Sequence, residues 1–238
     1  KGVELTDAGI EMLNITKQAE DLFDNLKGAA RNAQATKSGE LVITSLVGLL
    51  PMIMPAIKEF NLKYPEVEIR VLTGEDCLKL EYGEAHVALR AGAKPTNPDY
   101  IVRKFLPASF GAYVNRNALN DMKSYMKIKD WRDLPFIGPV DINIHQPFAK
   151  WMRNEIPNAR VVLKVDEQDA VLPAVLAGAG VGFLPRHIAR QYDQLIDVNP
   201  LADDLAIPVW LISHRDLRKT QKVTEFIKLL MDACGSSV

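Results

Sequence analysis

Residues Arg160–Pro185 read "RVVLKVDEQDAVLPAVLAGAGVGFLP". The opening "RVVLKV" is β-branched and apolar, the composition of a strand. "EQDAVLPAVLAGA" (Glu167–Ala179) follows with helical character, and "VGFLP" (Val181–Pro185) returns to a strand. Strand, helix and strand in this order argue for an α/β fold with parallel sheet. The three glycines Gly178, Gly180 and Gly182 invite comparison with a dinucleotide-binding loop. Such a loop closes a strand and opens a helix. This one closes a helix and opens a strand, so it reads as a helix C-cap followed by close helix–strand packing.

The alternation extends outward in both directions. Upstream, Leu41–Thr44 is a strand, and Leu49–Tyr64 is a helix with Leu50, Ile53, Met54, Ile57 and Phe60 as its apolar residues. Pro51 fits the first turn of that helix, Pro55 strains it and Pro65 ends it. "VEIRVL" alternates Val67, Ile69 and Val71 as a half-buried strand does. A short helix reaches Tyr82, and "HVALR", "YIVRKFL" and "FGAYV" are further strands. The pattern is then less regular until Arg160. Downstream, "RHIARQY" reads as a short helix and "PVWLIS" as a strand. A last helix spans about Thr220 to Cys234, with Val223, Phe226, Ile227 and Leu230 on one face.

The N-terminal segment has a different period. Ala8, Met12, Ile15, Ala19, Leu22, Leu26, Ala29 and Ala33 follow steps of four and three. That is an a/d seam sustained over about four heptads. Thr6 suits an N-cap, acids gather early and bases late, and Ser38-Gly39 reads as a stop. A helix of roughly 30 residues would run about 45 Å. A helix packed on its own domain would also show an apolar stripe. The narrowness and length of this one favour pairing with a second helix.

Composition excludes little and directs little. The 238 residues carry a net charge of −1, which as a whole points neither to nucleic acid nor to an anionic membrane. Cys77 and Cys234 form no disulfide framework and read as two reduced thiols. Cys77, near a helix start, would be a reactive thiol if exposed, but a buried structural role is preferred. No run approaches the apolar length of a membrane span and no signal peptide opens the chain, so a cytoplasmic protein is expected.

The search for catalytic chemistry comes back empty. His86, His145, His187 and His214 are scattered without metal-ligand spacing and read as structural or surface residues. There is no G-x-S-x-G and no phosphate-binding loop of the Walker type. No enzyme, metal or cofactor is expected.

Motifs along the whole chain resemble those of LysR-type transcriptional regulators. "GVELTDAG" (Gly2–Gly9) is similar to the end of that family's winged helix-turn-helix, where a wing strand enters "LTxAG" and then a linker helix. "SGELVIT" (Ser38–Thr44), "LKYPEVEI" (Leu62–Ile69), "DWRDLPFI" (Asp130–Ile137) and "VLAGAGVGFLP" (Val175–Pro185) follow in the family's order. There are departures. The family often places Asp where "HVALR" has His86. It commonly has Ser or Thr at the start of the first helix, where Val47 and Gly48 stand here. The segment between Gly74 and Gly83 is shorter than usual.

The resemblance implies two Rossmann-like α/β subdomains joined by two crossover strands, as in type 2 periplasmic binding proteins, preceded by a long linker helix. Residues 1–38 would be the wing remnant and dimerisation helix, and 39–238 the effector-binding domain. Subdomain I would comprise 39–113 and 210–238 and subdomain II 114–209, with the chain leaving near Tyr113 and returning near Trp210. The expected partners are a second copy or three, and DNA through a helix-turn-helix upstream of Lys1. A small effector would sit in the cleft between subdomains and shift the oligomer's arrangement.

In open α/β sheets ligands lie beyond the carboxyl ends of strands. The loops in that position are Ser45, Leu46, Val47 and Gly48 after the first strand, and Thr73 and Glu75 after the second. Pro139, Val140 and Asp141 follow "PFI", and Gln168 follows "RVVLKV". A singly charged organic acid or a polar neutral molecule is the expected effector. The competing reading is a solute-binding protein of a transport system, against which the heptad helix and the missing signal peptide count.

Overall fold

A computed structural model describes residues 39–74, 80, 85–126, 130–144, 146–199 and 205–235, together with Thr6, Gly9, Met12 and Thr16. Most of the heptad segment, from Ala8 to Ala33, therefore lies outside the described residues, as do Glu75, Cys77 and His145. Of the segment's start, Thr6 Oγ1 accepts from the Gly9 amide at 3.2 Å, the bond an N-cap makes. The Thr16 hydroxyl donates to the Met12 carbonyl at 2.8 Å, one helical turn back.

The chain divides into two compact units. Met52–Lys104 and Trp210 onward, with the residues up to Leu46, form the first; Val47–Pro51 and Phe105–Val209 form the second.

The first unit is built on a five-stranded sheet. Its strands are β1 (Gly39–Ser45), β2 (Val67–Thr73), β3 (Val87–Ala91), β4 (Tyr100–Lys104) and β11 (Val209–His214), in the order β2-β1-β3-β11-β4. β1 runs parallel to β2 along its whole length, from Gly39↔Val67 to Ser45↔Thr73, and parallel to β3. β4 is antiparallel to β11, so the sheet joins an antiparallel edge to the parallel pairs that the alternation of strands and helices predicts. A strand that re-enters the unit from the other end of the chain is free of the crossover that forces parallel pairing.

Helix α1 (Leu50–Lys63) buries Ile53, Ala56 and Phe60. The helix continues through Pro55, which is exposed, so solvent can reach the backbone carbonyl that this residue cannot satisfy. The C-terminal helix α6 (Gln221–Gly235) brings Val223, Phe226, Ile227 and Leu230 into the same core, as their spacing predicts. Phe60 and Phe226 meet edge to face with ring centroids 5.7 Å apart. A further cluster gathers Val42, Leu80, Ala85, Ala88 and Ile212, with Tyr100 and Trp210 packed against it.

The second unit centres on β5 (Ala108–Asn115). This strand pairs antiparallel with β8 (Gly182–Pro185), β9 (Leu195–Asp197) and β10 (Ala206–Ile207). Among the described residues β5 pairs with strands of the second unit, and the chain passes between units at Lys104–Phe105, where the resemblance implied a passage near Tyr113. It passes back between Val209 and Trp210. β6 (Phe136–Pro139) and β7 (Val161–Val165) are parallel, and a bridge from Phe136 to Val181 runs parallel as well.

Two helices occupy the stretch that looked irregular in sequence. α2 (Arg116–Met126) starts where Asn115 Oδ1 accepts from the amides of Asn117 and Ala118. α3 (Pro147–Glu155) starts on a proline, which fits a first helical position. α3 buries Phe148, Ala149 and Met152. Trp151 of α3 stacks on Trp131 at 5.6 Å and meets Phe183 of β8 edge-on at 5.5 Å.

The helix expected from Glu167 to Ala179 is shorter. A 3-10 turn over Gln168–Ala170 leads into α4 (Val171–Leu176). Gly178 has φ +80°, its amide donates to the Val175 carbonyl, and the Ala179 amide donates to the Ala174 carbonyl. Those bonds make a Schellman cap, which ends the helix and uses the glycine's left-handed backbone. At Gly180 a Cβ would stand 2.4 Å from the Pro135 carbonyl oxygen. The glycine-rich run is thus a helix stop and a backbone-to-backbone contact. A last short helix, α5 (Arg186–Ala189), follows β8 directly.

Candidate functional site

Among the expected effector residues, Ser45, Thr73 and Pro139 are the last residues of the parallel strands β1, β2 and β6; Leu46, Val140 and Asp141 follow strand ends, and Val47, Gly48 and Gln168 lie in 3-10 turns. In the first unit Ser45 and Thr73 are register partners at the ends of β1 and β2. The Gly74 amide donates to the Ser45 carbonyl at 3.2 Å and ties the two ends together. Ser45 is fully buried, and its hydroxyl donates to the Leu46 carbonyl at 3.3 Å. Thr73 is exposed. The two threonine and serine hydroxyls therefore differ: one is turned into the fold and the other is open to solvent.

Val47–Leu49 forms a 3-10 turn that feeds into α1. Val47 is 45% exposed. Gly48 carries no side chain here, and its carbonyl is hydrogen-bonded to His187 Nε2 at 2.7 Å. A Cβ on Gly48 would find only Ile188 Cδ1, at 4.0 Å.

In the second unit Pro139 and Val165 are register partners, so the loops after β6 and β7 leave the sheet side by side. The Val140 amide donates to the Val165 carbonyl at 2.9 Å. Val140 itself is 59% exposed. Asp141 Oδ1 accepts from the Asn143 amide at 2.8 Å, an Asx turn that shapes the loop. Arg153 of α3 donates to the Ile142 carbonyl from the other side. Gln168 is half-buried, and its Nε2 donates to the Phe183 carbonyl at 2.8 Å, which leaves the amide oxygen as its acceptor. Burial pushes the neighbouring Asp169 carboxyl above its ordinary value.

Beside this lies a charged cluster that the sequence did not single out. Arg186, at the head of α5, is ion-paired with Asp197 of β9, and both side chains are mostly buried. Tyr113 stands opposite Asp197 in the β5–β9 ladder. Burial first, and the Asp197 charge second, push its phenol above the ordinary value. A Cβ on Gly111 would come within 2.8 Å of Tyr113 Cε2 and 2.9 Å of Asp197 Oδ2, so a larger residue there would press on the pair.

The histidines are each engaged by the fold where they are described. His86, standing where the resembling family often has Asp, accepts from the Val42 amide through Nδ1 at 2.9 Å. His214 Nδ1 accepts from the Asp216 amide at 3.3 Å. His187 reaches Gly48 across 139 positions of sequence, a contact that no local pattern announces. Among the described residues no three of His, Cys, Asp and Glu gather as metal ligands would, and no helix is long and apolar enough to cross a membrane.

Two α/β units, each holding a pair of parallel strands, define the class of two-subdomain folds like that of periplasmic binding proteins. Within that class the chain belongs to the LysR substrate binding domain family, which residues 34–235 match. It is similar to the HTH-type transcriptional activator IlvY of Haemophilus influenzae, 28% identical over 210 residues, covering 86% of this chain and 70% of the relative. The HTH-type transcriptional regulator IlvY of Escherichia coli is 28% identical over 193 residues, covering 77% of this chain and 64% of the relative. Among solved structures, the full-length Vibrio cholerae virulence activator AphB, a member of the LTTR protein family, superposes with a TM-score of 0.65 at 18% identity. That match covers 96% of this chain and 80% of AphB. These relatives are transcriptional regulators, which does not favour the transport-system alternative.

Proposed function

We propose that this chain senses a small effector and assembles subunits for a DNA-binding transcriptional regulator. The observation that carries the reading is the strand register. Ser45↔Thr73 in one unit and Pro139↔Val165 in the other align the ends of parallel strand pairs, which is where open α/β sheets hold ligands. In the second unit Val47, Gly48, Val140 and Gln168 are the candidate contacts, Gln168 through its amide oxygen; in the first unit Thr73 is one, as a hydroxyl donor and acceptor. Ser45, Leu46, Pro139 and Asp141 shape the turns that present them; Glu75, the remaining candidate, lies outside the described residues. The effector is a singly charged organic acid or a polar neutral molecule. It acts by binding two arrangements of the oligomer with different affinity, because a ligand with equal affinity for both shifts nothing.

The seam Ala8, Met12, Ile15, Ala19, Leu22, Leu26, Ala29 and Ala33 pairs two subunits, and a helix-turn-helix preceding this segment contacts DNA. The regulator works inside the cell, where its DNA is. The test is thermal shift of the protein with acetate, glycolate, pyruvate and succinate, repeated on Gly48→Phe. A monocarboxylate that stabilises the parent and fails on the variant supports the site. Equal stabilisation of both removes the ligand from the β1–α1 loop. Sedimentation of the Ile15→Lys/Leu22→Lys double variant tests the seam, and an unchanged oligomer rejects it.

A further inference from the structure

We infer that His187 is a positioning residue for the loop between β1 and α1, acting through the bond from its Nε2 to the Gly48 carbonyl. A carbonyl oxygen can only accept, so the 2.7 Å contact requires the proton on Nε2. Burial holds the imidazole below its ordinary pKa, so at neutral pH the ring is uncharged and keeps that one proton. The loop is thus held by a single directed donor. Ile188 comes near as well, its Cδ1 4.0 Å from where a Gly48 Cβ would be. Two successive residues of α5 therefore face the same loop residue.

The anchor on the other side is firm. Ala189 of α5 is buried in the core cluster with Tyr113, Val171 and Leu184, and Arg186 is tied to Asp197. Gln191 Nε2 donates back to the His187 carbonyl at 3.2 Å. Val47–Pro51 is the short stretch by which the chain leaves the first unit after β1 and joins the second before α1 continues. His187 thereby fixes the conformation of the segment that carries Val47 and Gly48. The functional half of this inference rests on the proposed effector loop; the structural half does not.

The experiment has three arms. The first reads the parent alone: ¹⁵N shifts of the His187 ring should show a protonated Nε2 and an unprotonated Nδ1, and the opposite tautomer overturns the inference. The second compares amide exchange in His187→Ala and His187→Gln. Peptides covering 43–50 should exchange about tenfold faster in the alanine variant, the effect of one ordinary hydrogen bond. They should return close to the parent rate in the glutamine variant, whose amide can donate to the same carbonyl. Unchanged exchange in the alanine variant overturns the inference. The third arm uses thermal shift with acetate, glycolate, pyruvate and succinate. A shift seen in the parent, lost in His187→Ala and regained in His187→Gln supports the positioning role, and equal shifts in all three overturn it. No shift in the parent with any acid rejects the effector reading and leaves the loop anchor to be decided by the first two arms.

Discussion

Replacing His86 by alanine should destabilise the first unit by about 3 kcal/mol. The imidazole is 7% exposed, and its Nδ1 accepts the Val42 amide at 2.9 Å. In the reverse direction the His86 amide donates to the Val42 carbonyl at 2.8 Å, so the residue closes a two-bond bracket onto β1. Alanine keeps the backbone bond and orphans the Val42 N–H, which is buried with a residue only 4% exposed. An orphaned buried donor costs about 1–3 kcal/mol. The lost ring volume adds about 1 kcal/mol more if the site collapses only partly. Asparagine places a carbonyl oxygen at the same reach from Cβ as the imidazole Nδ1, so His86→Asn should recover roughly half of the loss. The same reach explains how an aspartate and a histidine can serve one position at the head of this strand. Native-state hydrogen exchange of the β1 amides is the suitable assay, because two units need not unfold together. A loss under about 0.5 kcal/mol for alanine, or an asparagine variant no better than alanine, would refute the assigned role of the Val42 bond.

Gly180→Ala forces its Cβ against the Pro135 carbonyl, 2.4 Å away, and that carbonyl also accepts the Val181 amide; chemical denaturation should show a loss of about 3 kcal/mol. Ser213 is 1% exposed and its hydroxyl has no hydrogen-bond partner among the described residues, so Ser213→Ala should raise the melting temperature, with a gain of about 1 kcal/mol. Burial holds the folded His187 imidazole below its unfolded value of 6.5, so as pH falls through that value the unfolded chain binds a proton before the folded one does. Stability should therefore decline with falling pH from that point down to the folded pKa, and the decline should shrink in His187→Gln when melting is followed against pH.

The sequence by itself determined the elements whose signals are local. The alternation of Val67, Ile69 and Val71, the one-sided spacing of Val223, Phe226, Ile227 and Leu230, and the order of helix, Gly178 and strand each lie within a few residues of one another. Periodicity and glycine chemistry act at that range, and together they set the α/β class and rule out a dinucleotide loop. The cap at Asn115, the first-turn Pro147 and the four-residue step from Phe148 to Met152 are local signals too, so α2 and α3 were legible in a stretch that reads as irregular. Tertiary structure alone decided which strands pair and in which direction. β5 is an inward-facing apolar strand whatever its partners, and its pairing with β8, β9 and β10 moves the passage between units to Lys104–Phe105. It alone decided that the Ser45 hydroxyl turns inward while Thr73 faces solvent. It alone brought His187 to Gly48, because a hydrogen bond across 139 positions depends on the folding of everything between them and leaves no trace in the spacing of either residue's neighbours.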